Sequence, residues 1–167
     1  QIAAVQKQID AHNEKIAVLN KQINALDAQI NEINKNIEET QKKIEEQQIK
    51  IEETQKLLGE RLRAMYMSGN VSTIEILLEA DSFESLLNRM ELVSQIAKHD
   101  SKIVEELTRQ IEELEKMKVK LQEQMVKLEA NKKEIEDSKA EVVAAKSEVN
   151  KVKSELDAKL NKLEKYL

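Results

Sequence analysis

The chain has no proline, no cysteine and no tryptophan, and its 167 residues include only two glycines, two tyrosines and one phenylalanine. Average usage would give about eight prolines and twelve glycines in that length. A β-sandwich or barrel needs a turn every ~8–12 residues, so the missing turn residues exclude those folds. So few aromatics also argue against a large compact core. Without cysteine there are no disulfides and no thiolate zinc sites, which fits a reducing or an oxidising compartment equally. No run of about 18 apolar residues occurs, so nothing in the sequence spans a membrane. Lysine and arginine total 27 against 32 acidic residues, a net charge of −5, so there is no basic field to hold a phosphate backbone and nucleic acid is not an expected partner. What remains is rich in Ala, Glu, Leu, Lys and Arg, about half of the chain, the composition of long helices and coiled coils.

Periodicity gives that composition a direction. One apolar column runs Ile2, Ile9, Ile16, Ile23, Ile30, Ile37, Ile44, Ile51 and Leu58, and a second follows it three residues later at Val5, His12, Leu19, Leu26, Ile33, Thr40, Gln47 and Thr54. A seven-residue repeat held this long imposes a left-handed supercoil against a partner helix. The second column turns polar at Thr40, Gln47 and Thr54, which lowers stability and fixes register. This first arm is therefore expected to be firmer near its start.

A second arm repeats the pattern from Leu86 through Val93, Asp100, Leu107, Leu114, Leu121, Leu128, Ile135, Val142, Val149, Leu156 and Leu163. The companion column is read four residues after the first: Met90, Ala97, Val104, Ile111, Lys118, Met125, Lys132, Lys139, Lys146, Lys153, Leu160 and Leu167. Four lysines in succession at a seam are accommodated in one of two ways. Their stems lie along the seam with the ammonium groups in water, or Ala145 and Val152 shift the seam by half a heptad.

Between the arms Ser68-Gly69-Asn70 is the one interruption, with Gly69 suited to a left-handed helix cap. Ser72 with Glu75, and Asp81 with Glu84, have capping-box form and mark two helix starts. The spacing predicts a short helix over about 73–79 and a second beginning near Ser82. The expected fold is all-α, a long antiparallel coiled-coil hairpin with a small helical tip, divided as arm 1 over 1–67, tip and reversal over 68–97, and arm 2 over 98–167. The columns pair Leu26 with Lys132 and Ile51 with Leu107, to within a heptad. Arm 1 would be ~100 Å long and arm 2 longer still, leaving its last turns to overhang or meet another molecule. A homodimer is one such arrangement. The sequence begins at Gln1 and stops at Leu167, both inside heptads, and so reads as a segment trimmed from a longer chain.

No residues combine into a catalytic centre, and no cofactor or metal is implied. His99, Asp100 and Ser101 are consecutive, so on a helix they point about 100° apart and form no relay. His12 reads as a tolerated seam residue. Acidic pairs such as Glu45-Glu46 and Glu112-Glu113 read as solvated faces beside lysines. Asn70-Val71-Ser72 has the form of a glycosylation sequon, a signal too short to carry weight alone.

The informative stretch is Leu57 to Ala97, which holds both glycines, two of the three aromatics and three of the four arginines. Its apolar residues exceed what a two-helix seam buries. They can close a small helical bundle or stay exposed as an adaptable, methionine-rich docking patch. Arg63-Ala64-Met65-Tyr66, Gly69, Ile74-Glu75-Ile76-Leu77-Leu78, Asp81-Ser82-Phe83 and Leu86-Leu87-Asn88-Arg89 resemble the coiled-coil segment of secreted peptidoglycan hydrolases and their activators, of the PcsB, CwlO and EnvC types.

That resemblance implies a regulatory module, itself not an enzyme, that docks on the extracellular loop of FtsX in the FtsE–FtsX complex. It further implies control of a C-terminal hydrolase or activator domain of the same chain, absent from this sequence, during division or wall remodelling. The location implied is the cell-wall side of the bacterial membrane. The docking residues expected at the tip are Leu77, Leu78, Phe83, Leu87 and Met90, with Met65 and Met67 behind them. Phe83, Leu87 and Met90 share a helical stripe that a groove could receive. Gly59, Gly69 and Asp100 are the expected hinge positions, because Gly59 weakens arm 1 and Asp100 interrupts the arm 2 column near the same level. The competing reading is a structural spacer or dimerising rod whose tip is only a turn.

Overall fold

The structure, a computed structural model, describes residues 2–69 and 72–165, and the side chains of 2–69 and 75–165. Among these there is no strand. Helix α1 spans Ile2–Met67, α2 Ser72–Leu78 and α3 Phe83–Glu164. α1 and α3 pack antiparallel as a helical hairpin, as two compact units described here in turn.

The first unit joins Gln1–Glu38 to Gln122–Leu167. Ile9, Leu19, Ile23, Leu26 and Ile33 of α1 are buried, as are Ile135, Val142, Ala145 and Val149 of α3. Leu19, Ile23 and Val142 form a cluster with Ile16 packed against it. The Asn131 amide donates to Gln29 Oε1 at 3.3 Å, and Lys15 approaches Glu141 at 3.6 Å. That ion pair is exposed, so it contributes little. Hydrophobic burial along the seam supplies the stability of this unit.

The second unit is Glu39–Leu121. Its buried seam mixes Ile51, Ile103 and Leu114 with Thr40, Gln47 and Gln110. Gln47 is answered across the seam, its Nε2 donating to the Gln110 main-chain carbonyl at 3.0 Å and to Glu113 Oε2 at 3.2 Å. The Gln110 amide instead donates to Glu106 of its own helix at 2.9 Å, and its buried Oε1 has no hydrogen-bond partner among the described residues. In each unit the cross-seam pairs lie within a heptad of the register that sets Leu26 beside Lys132 and Ile51 beside Leu107.

The companion column of α3 differs from the sequence expectation. Met90, Val104, Ile111 and Met125 are exposed, and so are Lys118, Lys132, Lys139, Lys146 and Lys153. The seam instead uses Ile103, Gln110, Met117, Gln124, Asn131, Ser138, Ala145 and Val152, each buried or half-buried. The cause is geometric. A leading column has apolar or polar neighbours both three and four residues away, and only one of those rows faces the partner. Several polar residues occupy the true row, so apolar content pointed to the wrong one. Ala145 and Val152 do lie in the seam, but in a row that stands one residue before the expected column from Ile103 onward, with the leading column unshifted, so the seam does not move by half a heptad.

The reversal follows the expected chemistry with two adjustments. Gly69 has φ 70°, and α1 closes with Ser68 N–H on the Ala64 carbonyl at 2.9 Å and Gly69 N–H on that of Tyr66 at 3.2 Å. At that φ a side chain would be strained, which is why glycine stands there. α3 starts on Ser82, not Asp81: the Ser85 N–H donates to Ser82 Oγ at 3.1 Å, the geometry of an N-cap. α2 is displaced by one residue from 73–79. The sequon at Asn70-Val71-Ser72 and the Ser72 capping box fall on Asn70, Val71 and the Ser72 side chain, outside the described residues.

Candidate docking site at the tip of the second unit

Three helix segments build the tip: the end of α1, the short α2 and the start of α3. α2 is fixed to α3 by Arg89, whose Nη1 donates to the Ile76 carbonyl at 2.6 Å and approaches Glu79 at 3.8 Å. A guanidinium on a carbonyl of the last helical turn satisfies an acceptor without an intrahelical partner and complements the helix dipole.

With α2 held this way, much of the tip's apolar surface faces outward. Met67 is 80% exposed, Leu78 77% and Phe83 75%. Met65, Leu87 and Met90 are also exposed, whereas Leu77 is half-buried. Of these seven expected residues, Met65 alone lines the open cavity that Ile76 of α2 borders. Tyr66 and Ile76, omitted from the expected set, are exposed as well. Both stand inside the motif quoted above, and Ile76 adjoins Leu77.

The cavity measures about 330 Å³ and is lined by Ala64, Met65, Ile76, Val93 and Ile96 among others, with Arg61 and Asp100 at its polar edge. Arg61 Nε lies 2.7 Å from Asp100 Oδ1 and its Nη2 lies 2.8 Å from Oδ2. This two-point contact holds the Asp100 carboxyl below the usual carboxylate range, the Arg61 hydrogen bond leading and burial partly opposing it. Arg61 is raised in turn, first by the same bond. Asp100 is therefore not a bare interruption of the α3 column, because Arg61 stands seven residues after Thr54 in the α1 seam row and answers it. Extending the α1 column by one heptad would have exposed the pair.

Of the remaining hinge positions, Gly59 sits within uninterrupted α1, exposed, with nothing within 4 Å of where a Cβ would project. Gly69 carries the left-handed cap described above.

Long antiparallel helices, a polar-punctuated seam and a short capped tip helix define a helical-hairpin coiled coil. Residues 44–117 match the family model described as "Peptidoglycan hydrolase PcsB, coiled-coil domain". Comparison with curated proteins and with solved structures gave no match. The match covers 74 of the 167 residues, and over them the chain is similar to that coiled-coil domain, in agreement with the resemblance carried by the tip motif. The matched segment falls inside the second unit, and it includes the reversal and the Arg61–Asp100 contact. The domain matched is a coiled coil, not a catalytic domain. No helix among the described residues is long and apolar enough to cross a membrane.

Proposed function

We propose that this chain is the regulatory coiled-coil module of a secreted peptidoglycan hydrolase or hydrolase activator. Its tip docks on the extracellular loop of FtsX, and the arms relay that contact to an attached catalytic or activator domain during division or wall remodelling. The observation that carries the reading is the exposed apolar tip, led by Met67, Leu78 and Phe83, inside a segment that matches the PcsB coiled-coil domain. Apolar side chains left this open on a small, otherwise charged helical unit mark a surface for a protein partner. Methionines among them allow the surface to adapt to the partner's shape.

The mechanism follows from where the tip is rigid and where it is weak. Arg89 and the Ser82 cap hold α2 and the first turn of α3 as a shaped contact surface. Beneath it, the cavity beside Arg61 and Asp100 offers room for α1 and α3 to move relative to one another within this unit. A partner's motion is passed into the seam at that level.

A pull-down with the isolated FtsX extracellular loop tests the docking. A variant carrying Leu78→Asp, Phe83→Asp and Leu87→Asp should lose the interaction while keeping its helical circular dichroism, because the substituted side chains are solvent-facing. Undiminished binding by that variant, still helical, would remove the tip as the docking site.

A further inference from the structure

Methionine carries the only sulfur in this chain, which has five methionines and no cysteine. Their placement is uneven. Met65 and Met67 stand in the last turn of α1 and Met90 two turns into α3, so three of the five belong to the tip. Met117 lies in the seam of the second unit, and Met125 lies on α3 in the first unit.

Exposure separates them further. Met67 is 80% exposed, Met65 57%, Met90 51% and Met125 47%. Met117 is half-buried. A thioether reacts with a peroxide through a sulfur lone pair, so a sulfur open to water is attacked before one covered by a seam. The product, a sulfoxide, is polar where the thioether was apolar.

Where that change falls decides what it does. The three tip methionines stand among apolar neighbours: Met65 shares its cavity with Ile76, Val93 and Ile96, and Leu78 and Phe83 are open beside them in the same tip. None of the three is part of the buried seam, so a sulfoxide there meets water and leaves the helix pairing intact. A sulfoxide at Met117 would instead press a polar oxygen into the seam, which costs stability unless a donor answers it.

We propose that Met65, Met67 and Met90 form a reversible oxidation site, at which a hydroperoxide turns the apolar tip polar while the hairpin stays folded. The sulfur lone pair attacks one peroxide oxygen, and an S–O bond forms as the O–O bond breaks. Sulfur gives up two electrons, and the departing hydroxide takes a proton and leaves as water. A sulfoxide reductase reverses the step: a dithiol is oxidised to a disulfide, and the oxygen leaves as water. As a control of docking, the inference rests on the tip being the contact surface proposed above. The oxidation chemistry and the loss of apolar surface do not.

The chain is treated with hydrogen peroxide and its sites are followed by peptide mass spectrometry. Met65, Met67 and Met90 should each gain one oxygen at least about fivefold faster than Met117. Hydrophobic-interaction chromatography should show the oxidised chain eluting earlier. Most of that shift should disappear in Met65→Leu/Met67→Leu/Met90→Leu and remain in Met125→Leu, and a sulfoxide reductase with dithiothreitol should restore the original retention. The circular dichroism midpoint should move by no more than about 2 °C on oxidation of the tip, as for an exposed substitution. Met117 oxidised as fast as the tip, a retention shift kept in full by the triple variant, or a hairpin that melts on oxidation overturns the site. Binding to the extracellular loop of FtsX should fall at least about fivefold on oxidation and resist peroxide in the triple variant. Binding unaffected by oxidation of all three overturns the control while docking stands. A loop that fails to bind the untreated chain overturns docking and its control together, and mapping and retention still decide the site.

Discussion

Arg61 on α1 holds both carboxylate oxygens of Asp100 on α3, at 2.7 and 2.8 Å, where two apolar side chains would ordinarily meet across the seam. Both side chains are partly shielded from water. Removing one partner leaves the other charge shielded and unanswered, which is the costly way to break such a pair. Arg61→Leu and Asp100→Leu should each lower the thermal midpoint of this chain, and the double variant should recover most or all of the loss, since leucine suits both positions. Circular dichroism melts of the four proteins check this, and an additive double variant would contradict it.

The same pair sets a pH dependence. Asp100 is depressed in the folded chain relative to its unfolded value, chiefly by the Arg61 hydrogen bond. A depressed carboxyl contributes stability that is fully present above its unfolded value, about 3.9, and is lost as pH falls through the folded one. The difference in urea midpoint between the native chain and Arg61→Leu/Asp100→Leu should therefore be constant near neutrality and shift against the native chain in strong acid. A difference that changes between pH 6 and 8 would assign the effect to another group.

Ile103 and Val104 are neighbours with opposite roles, Ile103 buried at 7% and Val104 open to the flank. Ile103→Ala should cost about 2–4 kcal/mol, whereas Val104→Ala should stay within about 0.5 kcal/mol. Urea titrations of the two variants decide between this seam and the one the sequence pattern favoured, which buries Val104 and leaves Ile103 outside.

That contrast shows what was legible in the sequence. The α1 columns were readable because isoleucine recurs in one of them with little competition, and polar Thr40 and Gln47 stayed in line with the other. The reversal was readable because Gly69 stands where the backbone needs a left-handed turn, although the cap of α3 falls on Ser82, one residue after the Asp81 that the pattern marked. The companion row of α3 was not, because burial there follows what faces it across the seam. Gln47 needs a hydrogen-bond acceptor and finds it in the main-chain carbonyl of Gln110 and in Glu113. Such requirements are set by the partner helix and leave no apolar period to count. Six of the seven tip residues named from the sequence are exposed for a simpler reason: apolar residues there outnumber the seam positions available. Leu77, half-buried, shows that the count could not rank them individually.

Gly59 separates two meanings of a weak position. A Cβ there meets nothing within 4 Å, and the helix is continuous around it. Gly59→Ala should therefore stabilise the chain by about 0.5–1 kcal/mol in urea denaturation, the ordinary helix-propensity gain at an exposed site. A loss of stability would mean that the backbone at Gly59 departs from helical geometry in solution.

Arg89 gives the last expectation, because a single side chain ties the short α2 to the long α3. Its donation to the Ile76 carbonyl at 2.6 Å is the only side-chain hydrogen bond between these two helices among the described residues. Seven residues are too few to hold a helix in water without tertiary support. Arg89→Ala should therefore raise amide exchange at Glu79 and Ala80, whose N–H groups close the α2 turn, while exchange around Ile103 and Leu114 stays slow. Arg89→Lys should recover part of the protection, since an ammonium reaches the carbonyl but lacks the planar fork that also approaches Glu79. Uniform acceleration through the second unit would instead make Arg89 a determinant of the whole seam, and unchanged exchange at Glu79 and Ala80 would show that apolar packing alone seats α2.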